Sequence, residues 1–162
     1  MTKRAPTTAA TQALDRLGVH YTSHPYEHDR LVEGYGLEAA RELGVAPQRV
    51  FKTLVAEVDG RLVVAVVPVS SMLDLKSLAA VLDAKKATMA SPDVAERKTG
   101  YVVGGISPFG QRTRLPLVLD ATAASFATVY VSGGRRGFDI ELSAADVLAA
   151  TDGTLARIAV PT

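Results

Sequence analysis

Two β-branched runs flank the dipeptide Asp59-Gly60, and this pattern constrains the fold more than any other. The runs are VFKTLVAEV at 50–58 and RLVVAVVPV at 61–69. Asp-Gly tolerates the positive φ angles of a two-residue turn, so the runs predict an antiparallel hairpin. Alternation leaves both faces of the first run largely apolar, which puts Lys52 on an inward face. A lysine there is either paired with another group or has a function. Alternatively, it lies on an edge strand and prevents aggregation through that edge.

The rest of the chain predicts short helices and more numerous strands. Helices are expected near 10–17, 37–43, 75–82 and 92–99, with a short one after Asp120 and a final one that starts at Ser143. The predicted capping residues are Gly18, Gly44, Asp74, Ser91, Gly100 and Ser143. Further strands are expected near 84–90, 101–103, 115–119, 128–131, 138–142 and 155–160, with an edge strand followed by a loop within 19–29. Their order is not a regular β-α alternation. We therefore expect a mixed α/β fold, a mostly antiparallel sheet curled into a partly closed barrel with surrounding helices.

Length, charge and cysteine content narrow the class of protein. Residues 1–162 are expected to form one domain, with 1–6 flexible. The formal net charge of +1 gives no bulk attraction to nucleic acid. The absence of cysteine excludes disulfides and a protein thiol nucleophile. No signal peptide is visible, and the longest apolar stretch, 62–69, is too short to cross a membrane, so a cytoplasmic protein without membrane association is expected.

Two glycine-rich segments are candidates for binding an anion or a carbonyl oxygen. Gly104-Gly105 lies in TGYVVGGISPFGQ, 99–111, and arginines flank the glycines of SGGRRG, 132–137. Backbone N–H groups in such turns form anion-binding concavities, and arginine suits phosphate or carboxylate. The first segment has neither the P-loop ending nor the G-x-G-x-x-G spacing, and a tight β-turn is its alternative. The basic residues Arg112 and Arg135-Arg136 are either solvated charges or a patch that meets phosphates.

The histidines and serines point to no established catalytic motif. His20, His24 and His28 are spaced by four, but Pro25 interrupts a helix there and no cysteine could complete a zinc site. We expect them to be hydrogen-bonded or solvent-facing, and we predict neither a metal nor a cofactor. No G-x-S-x-G segment is present, and Ser132 has no visible base beside it.

Three segments together resemble one family. They are VFKTLVA (50–56), TGYVVGGISPFGQ (99–111) and VSGGRRGFDIEL (131–142). In this order and at these separations they are similar to the YbaK/EbsC family of aminoacyl-tRNA deacylases, most of all to its cysteinyl-tRNA(Pro)/cysteinyl-tRNA(Cys) deacylases. The similarity covers about 14–160. It implies a domain related to the editing domain of bacterial prolyl-tRNA synthetases, acting in trans to the synthetase on mischarged tRNA(Pro).

The resemblance also implies roles for individual residues. The lysine of the F-K-T stretch, the residue most tied to activity, is Lys52, and the catalytic glycine loop corresponds to Gly104 and Gly105. Expected to bind the substrate are Tyr26, Tyr35, Thr53, Ile106, Ser132, Gly133, Gly134 and Asp139. Expected to contact the tRNA are Arg112, Arg135 and Arg136, and Arg135 stands where the family often has lysine.

The mechanism that the resemblance implies is substrate-assisted. The thiol of the tRNA-bound cysteine attacks its own ester carbonyl and leaves as a cyclic thiolactone, and a thiol of pKa about 8.5 is already a few per cent thiolate near neutral pH. Two alternatives stay open: a deacylase for alanyl- or seryl-tRNA that uses a positioned water, and a non-catalytic module that binds tRNA or the synthetase. The domain is expected to hold the acceptor end of the tRNA and to obtain its tRNA(Pro) selectivity from prolyl-tRNA synthetase. The oligomeric state stays open between a monomer and a weak dimer.

Overall fold

The computed structural model describes residues 5–31 and 34–162. Its helices are α1 Ala9–Leu17, α2 Tyr35–Leu43, α3 Leu75–Val81, α4 Pro92–Thr99 and α5 Ala144–Thr151, with 3-10 turns at Pro47–Arg49 and Ala121–Ser125. Its strands are β1 Thr22–Pro25, β2 Phe51–Val58, β3 Arg61–Pro68, β4 Ser71–Leu73, β5 Ala87–Met89, β6 Leu117–Asp120, β7 Val129–Arg135, β8 Phe138–Leu142, β9 Thr154–Ala156 and β10 Ala159–Pro161. Of residues 1–6, expected to be flexible, 1–4 lie outside the described residues.

The predicted hairpin is confirmed and forms the centre of the larger sheet. β2 and β3 pair antiparallel from Val58 opposite Arg61 to Phe51 opposite Pro68. The turn residues Asp59 and Gly60 have φ angles of 48° and 83°, as a two-residue hairpin turn requires. The hairpin therefore fixes the register of the strand that carries Lys52.

The strands form three open sheets, which corrects the predicted barrel. Their orders are β5-β2-β3-β6-β9, β1-β8-β7 and β10-β4. Among the described strands no sheet closes on itself, because the outer strands β5 and β9 are three residues long and each pairs with a single neighbour. The mixed, mostly antiparallel character is confirmed, since only the β3–β6 and β6–β9 pairs of these strands are parallel.

Both faces of the five-stranded sheet are buried. Val64 and Val66 on one face pack with residues of α1, α5 and the three-stranded sheet. Val63, Ala65 and Val67 on the other face pack with residues of α3. Successive side chains of a strand alternate between faces, so the unbroken apolar run of β3 supplies both core layers.

The helix boundaries follow the predicted caps. Left-handed glycines end α1, α2 and α4 at Gly18, Gly44 and Gly100, with φ angles of 69°, 67° and 83°. The side chains of Asp74, Ser91 and Ser143 accept backbone N–H groups at the starts of α3, α4 and α5. These short-range signals were readable because each cap depends only on its own few residues.

The strand predicted at Tyr101–Val103 is absent. The segment turns instead, because Gly104 has a φ of 87°. The Val103 N–H donates to the Glu96 carboxylate and its carbonyl accepts from Arg136, so no strand partner is available. At Val103, hydrogen bonds to side chains thus replace the strand-to-strand hydrogen bonds that the apolar run predicted.

Two other segments differ from prediction. The loop predicted at 132–137 is mostly strand: β7 continues to Arg135 through an irregularity after Ser132. The single strand predicted at 155–160 is divided into β9 and β10, which belong to different sheets. The buried Asp120 carboxylate accepts the N–H groups of Ile158 and Ala159, N···O 2.9 Å each, and so turns the chain between them.

Candidate active site

A cavity of about 400 Å³ lies where the two larger sheets separate. β2 and β7 approach each other at a parallel bridge between Val50 and Tyr130, and no strand pairing joins them in the described residues beyond it. α2 and the glycine loop contribute to the cavity walls. Eight of the residues predicted from the sequence line this cavity: Tyr26, Tyr35, Lys52, Thr53, Gly104, Ile106, Ser132 and Asp139.

One wall is the free edge of β2. The Val69 N–H donates to the Val50 carbonyl, N···O 2.8 Å, so the even-numbered residues of β2 direct their N–H and C=O groups towards β3. The N–H and C=O groups of Thr53 therefore point to the opposite edge of β2. On that edge β5 pairs only with Ala56–Val58. The Thr53 side chain is 8% exposed, and its hydroxyl has no partner in the part of the chain that is described. An unpaired buried hydroxyl costs about 1–3 kcal/mol, which a bound ligand with a matching polar atom would recover.

Lys52 brings a positive charge to the same wall. Its side chain is half-buried, and burial lowers the pKa of its ammonium group. Within residues 5–31 and 34–162 no carboxylate forms an ion pair with it. A partly desolvated ammonium without an acidic partner attracts an anionic or carbonyl oxygen from outside the protein.

Another wall presents a half-buried and a buried polar side chain from the three-stranded sheet. Ser132 on β7 and Asp139 on β8 are partners in the strand register. Asp139 is 5% exposed, and burial raises the pKa of its carboxyl to about 8. A carboxyl with this pKa is mostly protonated at neutral pH. Tyr26 lies beside it, and burial together with the Asp139 charge raises the pKa of its hydroxyl.

The glycine loop forms a tight turn, as the alternative interpretation predicted. The Gly105 N–H donates to the Val102 carbonyl, N···O 2.8 Å, and Gly104 has the positive φ of the third position in a type II turn. A Cβ on Gly104 would lie 2.6 Å from the Tyr35 ring. The Gly104 N–H makes no hydrogen bond within the described residues. The cavity-lining Gly104 therefore offers a backbone donor at a position where a side chain would not fit.

Gly105 packs against backbone and does not line the cavity. A Cβ there would lie 2.9 Å from backbone atoms of Arg135 and Arg136. We expect Gly105→Ala to lower the free energy of unfolding by about 1–3 kcal/mol, because a backbone neighbour yields only if the whole turn moves. Thermal unfolding measures this, with Gly34→Ala as control because a Cβ there meets nothing within 4 Å. Equal melting temperatures for both variants would contradict the packing role.

Gly133 and Gly134, predicted to bind substrate, also do not line the cavity. A Cβ on Gly133 would lie 2.4 Å from the Phe138 ring. Gly134 has a φ of 111° and faces the side chain of Thr8. The Thr8 hydroxyl donates to the Gly133 carbonyl, O···O 2.5 Å. These two glycines let α1 pack on β7, next to the cavity wall that carries Ser132.

The three arginines lie outside the cavity and differ in exposure. Arg112 and Arg135 are exposed. Arg136 is half-buried: its Nε donates to the Val103 carbonyl, N···O 2.8 Å, and its guanidinium lies 4.6 Å from the centre of the Tyr35 ring. Contact of all three with tRNA stays a prediction.

The histidines take part in local hydrogen bonds. The His24 Nε2 lies 2.8 Å from the Glu141 carboxylate, and the His28 Nδ1 lies 2.7 Å from the buried Glu38 carboxylate. His20 is exposed. In the ranges that the structure describes, no group of three acidic or histidine side chains is placed to hold a metal ion. Nor does any helix there have the length and apolar content needed to cross a membrane.

Sequence reasoning missed the apolar wall of the cavity. Leu54 on β2, Met89 on β5 and residues of α4 such as Ala95 line it. Gly36 was also missed, although a Cβ there would lie 2.2 Å from Val69. These residues carry no chemistry of their own, and only the packing of β5 and α4 beside β2 brings them together. The sequence of α4, PDVAERKT, has no apolar spacing that would have marked a cavity-lining face.

Comparison with known proteins defines the family. A model of the aminoacyl-tRNA editing domain matches residues 35–150. The chain is 40% identical over 121 residues to the "Putative Cys-tRNA(Pro)/Cys-tRNA(Cys) deacylase EbsC" of Enterococcus faecalis, covering 74% of this chain and 73% of that protein. The chain belongs to the aminoacyl-tRNA editing domain family. The resemblance read from the three motifs and the deacylase class of enzyme are thereby confirmed.

Further relatives connect the chain with prolyl-tRNA synthetases. It is 30% identical over 101 residues to the proline–tRNA ligase of Geobacillus thermodenitrificans, which is 62% of this chain but only 18% of that ligase. A solved structure titled as a putative trans-editing enzyme for prolyl tRNA synthetase superposes with a TM-score of 0.83 at 23% identity, covering 95% of this chain and 98% of that one. At that identity the superposition shows the shared mixed α/β fold.

Proposed function

We propose that the protein removes cysteine from mischarged cysteinyl-tRNA(Pro), with the substrate's own thiol as nucleophile. One observation carries the proposal: among the described residues, neither the serine nor the threonine hydroxyl that lines the cavity is hydrogen-bonded to a base, since the Ser132 Oγ accepts the Gly134 N–H and the Thr53 hydroxyl has no partner. A protein nucleophile needs a base within hydrogen-bond reach. Without that pair, the nucleophile is supplied by the substrate or by water. The similarity to a protein named for the cysteinyl substrates favours the thiol.

The proposed step is an intramolecular acyl transfer. The cysteine thiolate attacks the ester carbonyl carbon, the bond from that carbon to the ribose oxygen breaks, and the products are a thiolactone and the free tRNA hydroxyl. The thiol proton goes to solvent, and the departing alkoxide takes one back. Because the attack is intramolecular, the protein contributes mainly by folding the substrate into a reactive conformer.

Each wall of the cavity has a part in this proposal. The Gly104 N–H stabilises the negative charge that develops on the carbonyl oxygen. Lys52 binds the ribose–phosphate end or shares in stabilising that charge. Thr53, Ser132 and Asp139 hydrogen-bond the ribose or the α-amino group. Tyr35 and the apolar wall hold the terminal adenosine or the amino-acid side chain.

The test is release of amino acid from cysteinyl-, alanyl- and seryl-tRNA(Pro), together with S-methylcysteinyl-tRNA(Pro). We expect rapid loss of cysteine alone, because the methylated analogue keeps the shape but has no nucleophile. Cleavage of alanyl-tRNA(Pro) or of the methylated analogue would replace the thiol by a positioned water. Binding of tRNA without any cleavage would favour the non-catalytic module.

Thr53→Val tests the substrate-binding wall. The hydroxyl has no partner in the described residues, so its removal is expected to leave the melting temperature unchanged or higher. Loss of its hydrogen bond to substrate is expected to raise KM by about tenfold. Thr53→Ser, which keeps the hydroxyl, is the matched control. A destabilised Thr53→Val protein with wild-type KM would show that the hydroxyl has a structural partner.

The tRNA selectivity is proposed to come from prolyl-tRNA synthetase. A net charge of +1 provides little general attraction to tRNA, and the chain resembles a segment found inside proline–tRNA ligases. We expect the protein alone to cleave cysteinyl-tRNA(Pro) and cysteinyl-tRNA(Cys) at similar rates, and added synthetase to favour the first. Full discrimination by the protein alone would contradict this.

A further inference from the structure

The peptide group between Val103 and Gly104 is hydrogen-bonded to a cation. Arg136 Nε donates to the Val103 carbonyl, N···O 2.8 Å, and the same guanidinium lies over the Tyr35 ring. The preceding peptide is held by an anion, since the Val103 N–H donates to the Glu96 carboxylate, N···O 2.8 Å. A charged side chain from the β7–β8 turn and another from α4 thus fix the two peptide groups on either side of Val103.

These bonds act on the peptide whose N–H belongs to Gly104, a residue that lines the cavity. In a trans peptide the C=O and N–H point in opposite directions, so the bond to Arg136 orients the Gly104 N–H away from Arg136. A charge-assisted hydrogen bond to the carbonyl also polarises the peptide and strengthens the N–H as a donor. Gly104 lines the cavity and Arg136 does not. The Arg136 guanidinium therefore lies on the carbonyl side of this peptide, away from the Gly104 N–H and outside the volume that a substrate would occupy.

We propose that Arg136 and Glu96 are positioning residues that orient the Gly104 amide and strengthen it as the donor to the oxyanion. This inference rests on the proposed function. It assigns Arg136 a role different from tRNA contact, and it assigns Glu96 a role where none was predicted. Neither side chain touches the reacting atoms.

The two adjacent arginines make the assignment specific. Arg135 is exposed, as a phosphate contact would be. Arg136 is half-buried, and both its Nε and its guanidinium face are already in contact with protein groups. A guanidinium held in this way is available to polarise a fixed carbonyl and less available to follow a tRNA backbone.

The first experiment separates kcat from KM. Arg136→Ala and Glu96→Ala are expected to lower kcat for cysteinyl-tRNA(Pro) by about 10–100-fold, less than the loss of an oxyanion donor itself, with little change in KM. Glu96→Gln, whose amide oxygen still accepts the Val103 N–H, is expected to retain most of kcat. Millimolar guanidinium, below denaturing concentrations, is expected to restore part of kcat to Arg136→Ala. Arg61→Ala removes an exposed arginine at the hairpin turn and is the charge-matched control.

A second measurement needs no turnover. The amide resonance of Gly104 in a ¹⁵N–¹H correlation spectrum is expected to shift upfield in Arg136→Ala and to stay in place in Arg61→Ala. A folded Arg136→Ala protein with wild-type kcat, a loss confined to KM, or an unmoved Gly104 resonance overturns the positioning role. A wild-type protein that cleaves no aminoacyl-tRNA overturns the proposed function, while the Gly104 resonance still decides the role of Arg136 in the loop.

Discussion

Lys52→Ala is expected to lower kcat/KM for cysteinyl-tRNA(Pro) by about 10²–10³-fold, a loss comparable to removal of a principal electrostatic group from an active site. The half-buried ammonium lines the cavity and forms no ion pair with the described residues, so its interactions are available to substrate. Single-turnover deacylation measures the effect. Lys52→Arg keeps the charge but changes its shape, and it is expected to retain more activity than Lys52→Ala.

Removal of the Lys52 ammonium group is also expected to change how the free energy of unfolding depends on pH. Burial lowers the pKa of Lys52 in the folded protein below that in the unfolded chain, so the unfolded chain binds more protons between the two values. The free energy of unfolding therefore rises as pH increases from the folded pKa towards about 10.4, the ordinary value. Lys52→Met is expected to melt at or above the wild-type temperature at neutral pH and to lack this alkaline rise. Low activity accompanied by a lower melting temperature would instead mark Lys52 as structural.

Asp139→Asn is expected to lose activity and to gain stability. The raised pKa of about 8 means that the folded protein holds a proton that the unfolded chain releases near pH 4. The stability of the wild type consequently falls as pH rises from about 4 to about 8, and the penalty is fully present above that range. Asparagine keeps the shape without the ionisation. Above about pH 8 we expect the variant to be more stable than the wild type by up to about 5 kcal/mol, the free-energy equivalent of a pKa that rises from about 4 to about 8.

Activity should change in the opposite direction. If Asp139 accepts a hydrogen bond from the α-ammonium group of the substrate, binding ionises the carboxyl and the asparagine variant loses a charge-assisted bond. Such a bond contributes about 1.5–3 kcal/mol, so KM should rise by about 10–100-fold. Thermal unfolding at about pH 5 and about pH 9, paired with a pH profile of kcat/KM, tests both parts. A melting-temperature difference that does not change with pH would show that Asp139 is already ionised in the folded protein.

Local sequence signals predicted the parts of the fold that depend on a few neighbouring residues. The Asp59-Gly60 hairpin and the helix caps at Gly18 and Ser91 are of this kind, because each is decided by backbone preference within one turn. The cavity-lining residues Lys52 and Asp139 were found through the family motifs. Composition alone would have left Lys52 undecided between a used lysine and a surface one.

The failures occurred where contacts distant in sequence decide the local conformation. Tyr101–Val103 has the composition of a strand, but Glu96 and Arg136 bind the Val103 peptide groups and the segment turns. The segment 155–160 likewise divides because the Asp120 carboxylate binds two of its N–H groups. Charged side chains that bond to backbone leave no periodic trace in a sequence. Pattern reading therefore did not foresee the division of 155–160, and it placed a strand at 101–103 where the turn predicted for the glycine loop already begins.

The single bridge between Val50 and Tyr130 has a consequence for how this cavity can change in evolution. Since the cavity opens where two sheets diverge, its width depends on the angle between them. The wall itself also contains a close fit, that of Gly36 on α2 against Val69. Substitutions in this packing would retune which amino acid fits while Lys52, Thr53 and Asp139 stay unchanged. Under the proposed mechanism, substrate range and catalytic chemistry are therefore separable traits, and the first can drift without loss of the second.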